Sequence, residues 1–414
     1  MAIEFNPMSD IDCEDPFSVY KRLRDEAPVH WSAEDEMFCV SRYSDVLTVL
    51  KEDELFSSSG TMTVLLRSIE VPINLRYGWK LLRFLLKTRI SPFRIARAGN
   101  LITMDRPRHD VLRRIVGRGF TPRRIAEWEP RIRELVNERI VDLRSGERFD
   151  VVGDLASPLP TMIISEMLGI EPSRRDDFRR WSRSIIEVAS GLSDPRTSDV
   201  MEHLGELFAY LQGIIRARRK QPRDDLISVL VDPRQEGVLD ELDVIQFVVL
   251  LLVAGNETTT NLIGNAVHAL IDRPDQIELL VREPERIENL VEEAVRFDGP
   301  LQFLFRSATR DTELAGVKIP KGSIVAAMVS SANRDERRFE DPDRFDITRD
   351  TSGHLGFGFG IHFCLGAALA RLESRVALGA LLPELKGFVR VEKQPERLET
   401  FLLRGRARLE LEAA

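Results

Sequence analysis

The stretch GFGFGIHFCLG, residues 356–366, places a lone cysteine, Cys364, in a glycine-rich loop. Glycine loses more conformational freedom on folding than other residues, so its repetition indicates a backbone that must approach another group closely. The sequence that follows, LGAALARLESRVALGALL, has a strong helical pattern. The free N–H groups and positive dipole end of a helix N-terminus stabilise a thiolate. Cys364 is therefore a candidate thiolate ligand.

Three interpretations of this cysteine remain open from the loop alone. An axial thiolate ligand to haem iron fits, because the glycines would let the backbone pass close to a flat, bulky group. A buried cysteine that acts as a small hydrophobic side chain is the plain alternative. Zinc is disfavoured, since no second cysteine or nearby paired histidine supplies a ligand set.

Composition excludes several classes of protein. A chain of 414 residues with 43% hydrophobic residues can bury a large core, and its net charge of −8 argues against nucleic-acid binding. The three cysteines, Cys13, Cys39 and Cys364, are too scattered for a disulfide framework, and the acidic start lacks a signal-peptide pattern. We therefore expect a soluble protein in the cytoplasm.

Most of the chain has helical periodicity. The segments DPFSVYKRLRDEAP and EPRIRELVNERIVDLR predict helices, and FCVSR, GVKIP and SIVAAMV predict short strands near residues 38, 317 and 324. Strands and helices do not alternate, and no change of composition marks a boundary. The sequence predicts one large domain over residues 1–414, mainly α with small β-sheets.

The segment from Leu239 to Asp272 predicts a single long helix. Its apolar run, Val244 to Ala254, has 11 residues, fewer than the roughly 20 that cross a bilayer. We therefore predict a helix inside a protein core. The polar sequence GNETTT follows, where threonine hydroxyls could simply bond to backbone carbonyls, whereas a buried carboxylate there would need a partner. Structural and functional interpretations both stand for these residues.

Four motifs, in order, resemble the cytochrome P-450 family. FGFGIHFCLG, residues 357–366, fits the family's cysteine-loop signature, and AGNETT, residues 254–259, resembles the oxygen-binding segment of its long central helix. EEAVRF contains Glu293 and Arg296 at the Glu-x-x-Arg spacing, and residues 332–349 are similar to the segment before the cysteine loop in bacterial members. The sequence is therefore identified as similar to the soluble bacterial cytochromes P-450.

This resemblance implies the cytochrome P-450 fold, with haem b (iron protoporphyrin IX) between the central helix and the helix after the cysteine loop. Cys364 would be the proximal ligand to the iron. The residues that would pack around the loop or allow the haem to approach are Phe357, Gly360 and Gly366. The residues that would bind the haem propionates as charged donors are His109, Arg113, Arg306 and His362.

Two of these assignments have alternatives. His109 and Arg113 could be an i,i+4 pair on a solvated helix, and Arg106 and Arg108 stand where the family often has a proline and an acidic residue. Glu293 and Arg296 could be a surface ion pair, contributing only about 0.2–0.5 kcal/mol. The resemblance implies instead that these two are buried and structural, joining their helix to the segment before the cysteine loop.

The reaction type follows from Glu257 and Thr258. A hydroxyl beside dioxygen, supplied by a nearby carboxylate, can deliver protons to it. The resemblance therefore implies a monooxygenase that hydroxylates or otherwise oxidises a lipophilic small molecule with O2. The residues expected to contact the substrate are Leu250, Val253, Ala254, Leu301, Phe303 and Phe401.

Partners are inferred by the same resemblance. The two electrons are expected from a ferredoxin and a ferredoxin reductase in trans, because no dinucleotide-binding or iron–sulfur motif is present. Arginines 113, 114, 118, 123 and 124 form a basic run that either meets the ferredoxin or is a solvated helix face. We expect a monomer.

Residues 75–97 form a basic, amphipathic segment in which Lys80, Arg83 and Lys87 share one stripe. It is either a packed helix with a wet face, or a pocket lid that meets an acidic lipophile or an anionic membrane surface. Two further functional classes stay open, a catalytically idle docking module with the same fold and a haem sensor. The identity of the substrate cannot be read from the sequence.

Overall fold

The computed structural model describes residues 3–8, 15–67, 75–88, 90, 100–145, 148–189, 199–232, 239–398 and 400–413. The chain packs into two compact units. The first comprises Met1–Val64, Ile125–Leu159 and Thr258–Ala414, and the second comprises Leu65–Arg124 and Pro160–Glu257.

The first unit contains the β-sheets. The strands are β1 (Val29–Ser32), β2 (Met37–Val40), β3 (Phe56–Ser57), β4 (Arg148–Asp150), β5 (Phe303–Ala308), β6 (Thr312–Leu314), β7 (Val317–Ile319), β8 (Ile324–Met328), β9 (Phe388–Arg390) and β10 (Glu410–Ala413). They form a five-stranded sheet of order β1-β2-β8-β5-β3, a three-stranded sheet of order β4-β10-β9 and the β6-β7 hairpin.

The β8 strand lies at the centre of the five-stranded sheet, and all five of its residues are buried. Successive side chains of a strand point to opposite faces. Val325 and Ala327 accordingly pack in one hydrophobic cluster, while Ile324, Ala326 and Met328 pack in another. Both faces of this sheet are therefore covered, which makes it a rigid support for the loops attached to it.

The helices of the first unit pack around these sheets. They are Phe17–Glu26, Tyr43–Lys51, Glu129–Ser145, Pro274–Arg282, Ile287–Phe297, Val329–Ala332 and Ala367–Leu385. The helices that contain residues of both units are Ser59–Arg67, Pro122–Ala126, Pro158–Met167 and the 30-residue central helix Glu241–Leu270.

The remaining helices belong to the second unit. They are Leu75–Thr88, Arg108–Gly117, Arg175–Ala189, Val200–Lys220 and Leu226–Leu230. Trp181 is fully buried here, and its Nε1 donates a hydrogen bond of 2.7 Å to Glu206 Oε2. The Asp225 carboxylate accepts from the Ser228 backbone N–H at 2.8 Å, which caps the short helix at its N-terminus.

The predicted mainly α fold with small sheets is confirmed, as are the helices Phe17–Glu26 and Glu129–Ser145 and the strands at residues 38, 317 and 324. The central helix extends from Glu241 to Leu270, close to its predicted bounds. Among the described residues, it is the one helix long and apolar enough to span a membrane, and half of its most apolar window is buried in the structure. A helix in the core of a soluble protein can have the same length and apolar composition. A single domain over residues 1–414 stays a prediction.

Candidate active site

The cysteine loop is held in a tight backbone conformation. Gly358 and Gly360 have φ angles of +72° and +68°, in the left-handed region that favours glycine. The N–H of Cys364 donates to the Phe357 carbonyl at 2.8 Å, and the N–H of Phe363 donates to the Gly360 carbonyl at 3.1 Å. These bonds fix the loop so that Cys364 stands just before the helix Ala367–Leu385, here called the cysteine helix.

Cys364 is exposed, whereas Cys39 is fully buried in the five-stranded sheet and its burial raises the pKa of the thiol. Cys13 lies outside the described residues. The rings of Phe359 and Phe363 beside Cys364 are each 40% exposed, which is unusual for large apolar side chains. Of the two cysteines described, Cys364 is thus the one open to a ligand.

The surroundings of Cys364 fit a large apolar group with a metal at its centre. A Cβ added to Gly366 would meet nothing within 4 Å, so there is room beside the start of the cysteine helix. A single accessible thiol suits a metal whose other ligands come from a cofactor, as in haem. The exposed aromatic rings of the loop suit an apolar macrocycle.

The predicted propionate-binding residues occur in both units. In the first unit, Arg306 lies on β5, is buried, and donates from Nη1 to the Phe305 carbonyl at 2.8 Å, while His362 lies in the cysteine loop. In the second unit, His109 and Arg113 share the helix Arg108–Gly117. Two of these residues thus belong to each unit, and their joint action on propionates stays a prediction.

His109 is 1% exposed, so the alternative of a solvated helix pair does not describe it. Its Nδ1 lies 3.1 Å from Asp110 Oδ1, and this hydrogen bond lowers the pKa of Asp110. The two arginines that depart from the family pattern have acidic partners. Arg108 pairs with Asp243 at 2.8 Å, and Arg106 pairs with Asp110 at 3.4 Å.

One face of the central helix stays accessible. The i, i+3, i+4, i+7 spacing of a single helix face is followed by Leu250, Val253, Ala254 and Glu257. All four side chains keep some exposure to solvent, and Ala254 is exposed. The opposite face, which includes Leu252, Asn256 and Thr259, is buried. Exposed residues in the middle of an apolar helix indicate space beside it.

Of the three consecutive threonines, Thr258 is partly exposed, whereas Thr259 and Thr260 are buried. The Thr260 hydroxyl donates to the Ala156 carbonyl at 3.1 Å, which is a structural bond. Thr258 is therefore the threonine of this segment that is open to a small molecule.

Glu293 and Arg296 are fully buried and joined by two hydrogen bonds of 2.7 and 2.8 Å. Arg296 also donates to the Asn333 and Pro342 carbonyls, and Glu293 accepts from the Asp346 backbone N–H at 2.9 Å. The pair thus joins its helix to the segment before the cysteine loop. The surface ion-pair alternative is excluded.

Glu292, which directly precedes Glu293, was not predicted as a site residue. Its carboxylate accepts two hydrogen bonds from Arg371, of 2.6 and 2.9 Å, and lies 2.9 Å from His354 Nε2. Burial would raise the pKa of Glu292, but the Arg371 and His354 hydrogen bonds outweigh it and lower this pKa to about 2. The doubled acidic residue in EEAVRF was the available signal.

Glu373 on the cysteine helix was also missed. It is 1% exposed, and burial alone raises the pKa of its carboxyl to about 8. No hydrogen-bond partner reaches its Oε1 within the part of the chain that the structure describes. Burial therefore favours the neutral, protonated form of this carboxyl.

The substrate contacts predicted in the first unit lie in packed surroundings. Leu301 forms a β-bridge with Leu403, and Phe401 packs against Phe305 with ring centroids 6.2 Å apart. Phe303 is 2% exposed and belongs to the same hydrophobic cluster as Phe305. Phe303, Phe401 and Leu403 line a cavity of about 30 Å³.

Alternation along β5 puts Phe303 and Phe305 on one face and Leu304 and Arg306 on the other. Leu304 is the residue that faces the cysteine loop, since its Cδ1 lies 3.7 Å from where a Cβ on Gly358 would stand. The position of Phe303 therefore does not support its predicted contact with substrate.

The helix Leu75–Thr88 contains the described part of the predicted basic segment, and residues 89 and 91–97 lie outside the described residues. Its basic stripe faces acidic residues of the helix Val200–Lys220 and Asp199, which directly precedes that helix. The pairs are Lys80 with Asp199 at 3.4 Å, Arg83 with Glu202 at 4.0 Å and Lys87 with Glu206 at 3.7 Å. Each of these three basic side chains therefore has an acidic partner that offsets its positive charge.

The apolar residues of that helix divide between two faces. Phe84 is buried against Phe208, with ring centroids 5.5 Å apart. Trp79, Leu82 and Leu86 are 63%, 44% and 69% exposed. The exposed face of this helix therefore carries large apolar side chains beside the exposed Arg83, which periodicity alone did not predict.

Comparison with known proteins agrees with these observations. A family model described as cytochrome P-450 matches residues 87–412. Cytochrome P-450 109 of Bacillus spizizenii is 37% identical over 385 residues, covering 91% of this chain and 87% of that protein. The vitamin D(3) 25-hydroxylase of Pseudonocardia autotrophica is 40% identical over 315 residues, covering 75% and 76%.

Solved structures share the fold. The crystal structure of CYP109E1 from Bacillus megaterium in complex with testosterone matches with a TM-score of 0.81 at 33% identity, covering 96% of this chain and 99% of that one. The fold and the cysteine loop define a monooxygenase of the haem-thiolate class. The chain belongs to the cytochrome P-450 family, whose cofactor is haem iron.

Proposed function

We propose that this protein hydroxylates a lipophilic small molecule of steroid type, using O2, haem b and two electrons from a ferredoxin system. The observation that carries the proposal is the accessible Cys364, fixed by a hydrogen-bonded glycine loop at the start of the cysteine helix. Bound haem supplies the activation of dioxygen, and the residues of this chain supply its binding, its protons and the substrate pocket.

Cys364 holds the iron, and the loop geometry supports this role because an exposed thiol before a helix N-terminus is favoured as a thiolate. Gly360 and Gly366 keep side chains away from the macrocycle, and Phe357 packs beneath the loop. The propionates take charged donors from His109, Arg113, Arg306 and His362. Buried Arg306 and His109 suit carboxylates that are themselves taken out of water.

Glu257 and Thr258 deliver protons to dioxygen. Both keep some exposure on the central helix, whereas neighbouring Asn256 and Thr259 are buried. The Thr258 hydroxyl donates a proton, and the Glu257 carboxyl replaces it through water. This pair separates the proposal from an idle docking module or a haem sensor, which need no proton donor.

The substrate class is supported by the accessible face of the central helix and by the relatives. Leu250, Val253 and Ala254 offer an apolar surface, and one relative is named a vitamin D(3) 25-hydroxylase while another was solved with testosterone. Leu301, Phe303 and Phe401 were expected to complete the pocket, but Phe303 is packed in the core. We therefore assign substrate contact to the central-helix residues first.

The electron donor is proposed to be an acidic ferredoxin with its reductase. Arg114, Arg118 and Arg123 are exposed on the second unit. Their attraction to an acidic partner would be screened by salt, over a length of about 10 Å at 0.1 M ionic strength. Turnover should therefore fall as salt rises, at constant substrate. We place the enzyme in the cytoplasm as a monomer.

We assign a weak contact with a membrane surface to the exposed apolar residues Trp79, Leu82 and Leu86. The basic stripe is not assigned to this contact, because its members have acidic partners. Trp79→Ser with Leu86→Ser should reduce co-sedimentation with neutral liposomes, whereas Arg83→Gln with Lys87→Gln should leave it unchanged. Equal behaviour of both double variants would remove the membrane contact from the account.

The function is tested with labelled dioxygen. The purified enzyme, a ferredoxin and its reductase are incubated with a panel of steroids under ¹⁸O2, and products are analysed by mass spectrometry. We expect a product that carries one labelled oxygen from at least one steroid that also binds in a spectral titration. Binding without any oxygenated product, or a product whose new oxygen carries no label and therefore comes from water, would contradict the proposal.

A further inference from the structure

Glu292 connects the two ends of the cysteine loop. Its carboxylate is bound by Arg371, on the cysteine helix after Cys364, and by His354, in the segment before it. Because Glu292 itself lies on the helix Ile287–Phe297, three separate segments meet at one carboxylate. Such an arrangement closes the loop at its base.

The Arg371 side chain also contacts the cysteine loop, and its charge interacts electrostatically with Cys364. Its guanidinium carbon lies 4.3 Å from the centre of the Phe357 ring, within the range of a cation–π contact. The carbonyl of Phe357 is the acceptor for the Cys364 N–H, and its ring contacts the Phe363 ring at 6.4 Å. A shift of Phe357 would therefore move the backbone that leads into Cys364.

We propose that Glu292, Arg371 and His354 form a clamp that positions the cysteine loop through Phe357 and holds a positive charge near the thiolate. This inference rests on the proposed role of Cys364 as the iron ligand. Arg371 and Glu292 are positioning residues, since they act on the ligand through Phe357.

A plain surface ion pair is the competing explanation. Arg371 is 38% exposed and Glu292 25%, and an ordinary pair of this exposure contributes about 0–1 kcal/mol. The geometry differs from an ordinary pair in three ways. The contact is bidentate, His354 is 6% exposed and adds a third hydrogen-bonding group, and the guanidinium is stacked on a ring of the loop.

Arg375 provides a matched control. It lies one turn further along the cysteine helix, has a similar exposure of 32%, and pairs with Glu129 and Glu288. These two contacts are with helices and not with the cysteine loop. Loss of its charge should test the effect of removing any arginine from this helix.

The experiment compares the holoenzyme with Arg371→Gln, Arg371→Lys, Glu292→Gln and Arg375→Gln. Two properties are measured: the rate of haem transfer to apomyoglobin and the reduction potential of the haem. We expect Arg371→Gln to release haem about tenfold faster, as for the loss of hydrogen bonds to a charged group, and to have a more negative potential. Arg371→Lys should recover part of the potential, because it keeps the charge, but not the slow haem release.

Haem release and potential in Arg371→Gln equal to those of Arg375→Gln would overturn the clamp. If Arg371→Gln yields no folded holoenzyme, Glu292→Gln decides the question by haem release alone, since it keeps an acceptor for the guanidinium but loses the ion pair. The carbon-monoxide spectrum of the unmodified enzyme separates the two proposals. A thiolate-type band with unchanged variants refutes the clamp only, whereas no such band refutes the role of Cys364.

Discussion

Replacement of Glu373 by Gln should stabilise the protein at neutral and alkaline pH. The carboxyl is buried, burial raises its pKa from 4.5 to about 8, and no partner reaches Oε1 within the described part of the chain. The difference of about 3.5 pH units between folded and unfolded states corresponds to roughly 5 kcal/mol. Gln has nearly the same shape and does not ionise.

The sign of the effect follows from proton binding. Below about pH 4.5 both states of the wild type are protonated, and the group has no effect. Between 4.5 and about 8 the unfolded chain loses this proton while the folded chain keeps it, so stability falls by about 1.4 kcal/mol per pH unit. Above about pH 8 the full penalty is present.

The assay is urea unfolding followed by circular dichroism at pH 5, 6, 7 and 8, at constant ionic strength. The advantage of Glu373→Gln over the wild type should grow by about 3–4 kcal/mol across this range. Glu384→Gln, the other glutamate of the cysteine helix, is the control for the loss of a carboxyl group from this helix. A flat difference for Glu373→Gln would refute the buried neutral carboxyl.

Three further outcomes are expected. Thr258→Ala should keep haem and ligand binding but lower product per reducing equivalent, with on the order of 10² less product formed, and Thr258→Ser should recover most of it; unchanged coupling would exclude the proton relay. Glu293→Gln should cost about 3–5 kcal/mol of unfolding free energy, because it leaves buried Arg296 without its ionic partner, and a loss below 1 kcal/mol in urea unfolding would argue against the buried pair. Burial and the nearby arginines lower the pKa of His268 to about 3, so the folded state does not take up the proton that the unfolded state binds below pH 6.5. The free energy of unfolding of His268→Gln should therefore rise by about 2 kcal/mol relative to that of the wild type as the pH falls from 6.5 to 5. A difference that does not change with pH would contradict this.

The parts of the site that could be predicted from the sequence are those fixed by local geometry. The left-handed backbone at residues 358 and 360 favours glycine, and a thiolate ligand before a helix requires a cysteine. The position of these residues in the sequence therefore predicts the cysteine loop. The resemblance assigned Leu250, Val253 and Ala254 to substrate contact, and in the structure these residues share an accessible face of the central helix with Glu257.

The parts that could not be predicted depend on contacts between distant residues. The basic stripe of Lys80, Arg83 and Lys87 follows from periodicity. Its acidic partners, such as Asp199 for Lys80, lie more than a hundred residues later in the chain, in or just before the helix Val200–Lys220. Phe303 was assigned to substrate contact by the resemblance, and the strand β5, whose alternation places Phe303 beside Phe305, was not predicted from the sequence.

The clamp and the buried acid show the same limit. EEAVRF contains two adjacent glutamates, and helical geometry alone does not say that Glu293 binds Arg296 while Glu292 binds Arg371. Glu373 lies on a helix with charged neighbours in sequence, and only packing in three dimensions buries it. Burial of a charged residue is a tertiary property that the local pattern does not contain.

The central claim is that Cys364 is the thiolate ligand of a haem in this protein. The direct test is the carbon-monoxide difference spectrum of the reduced enzyme, recorded for the wild type and for Cys364→His, with Cys39→Ser as the control for loss of a thiol. We expect the wild type and Cys39→Ser to absorb at the position of thiolate-ligated haem, and Cys364→His to absorb at the position of imidazole-ligated haem. A band at the thiolate position that persists in Cys364→His would contradict the account.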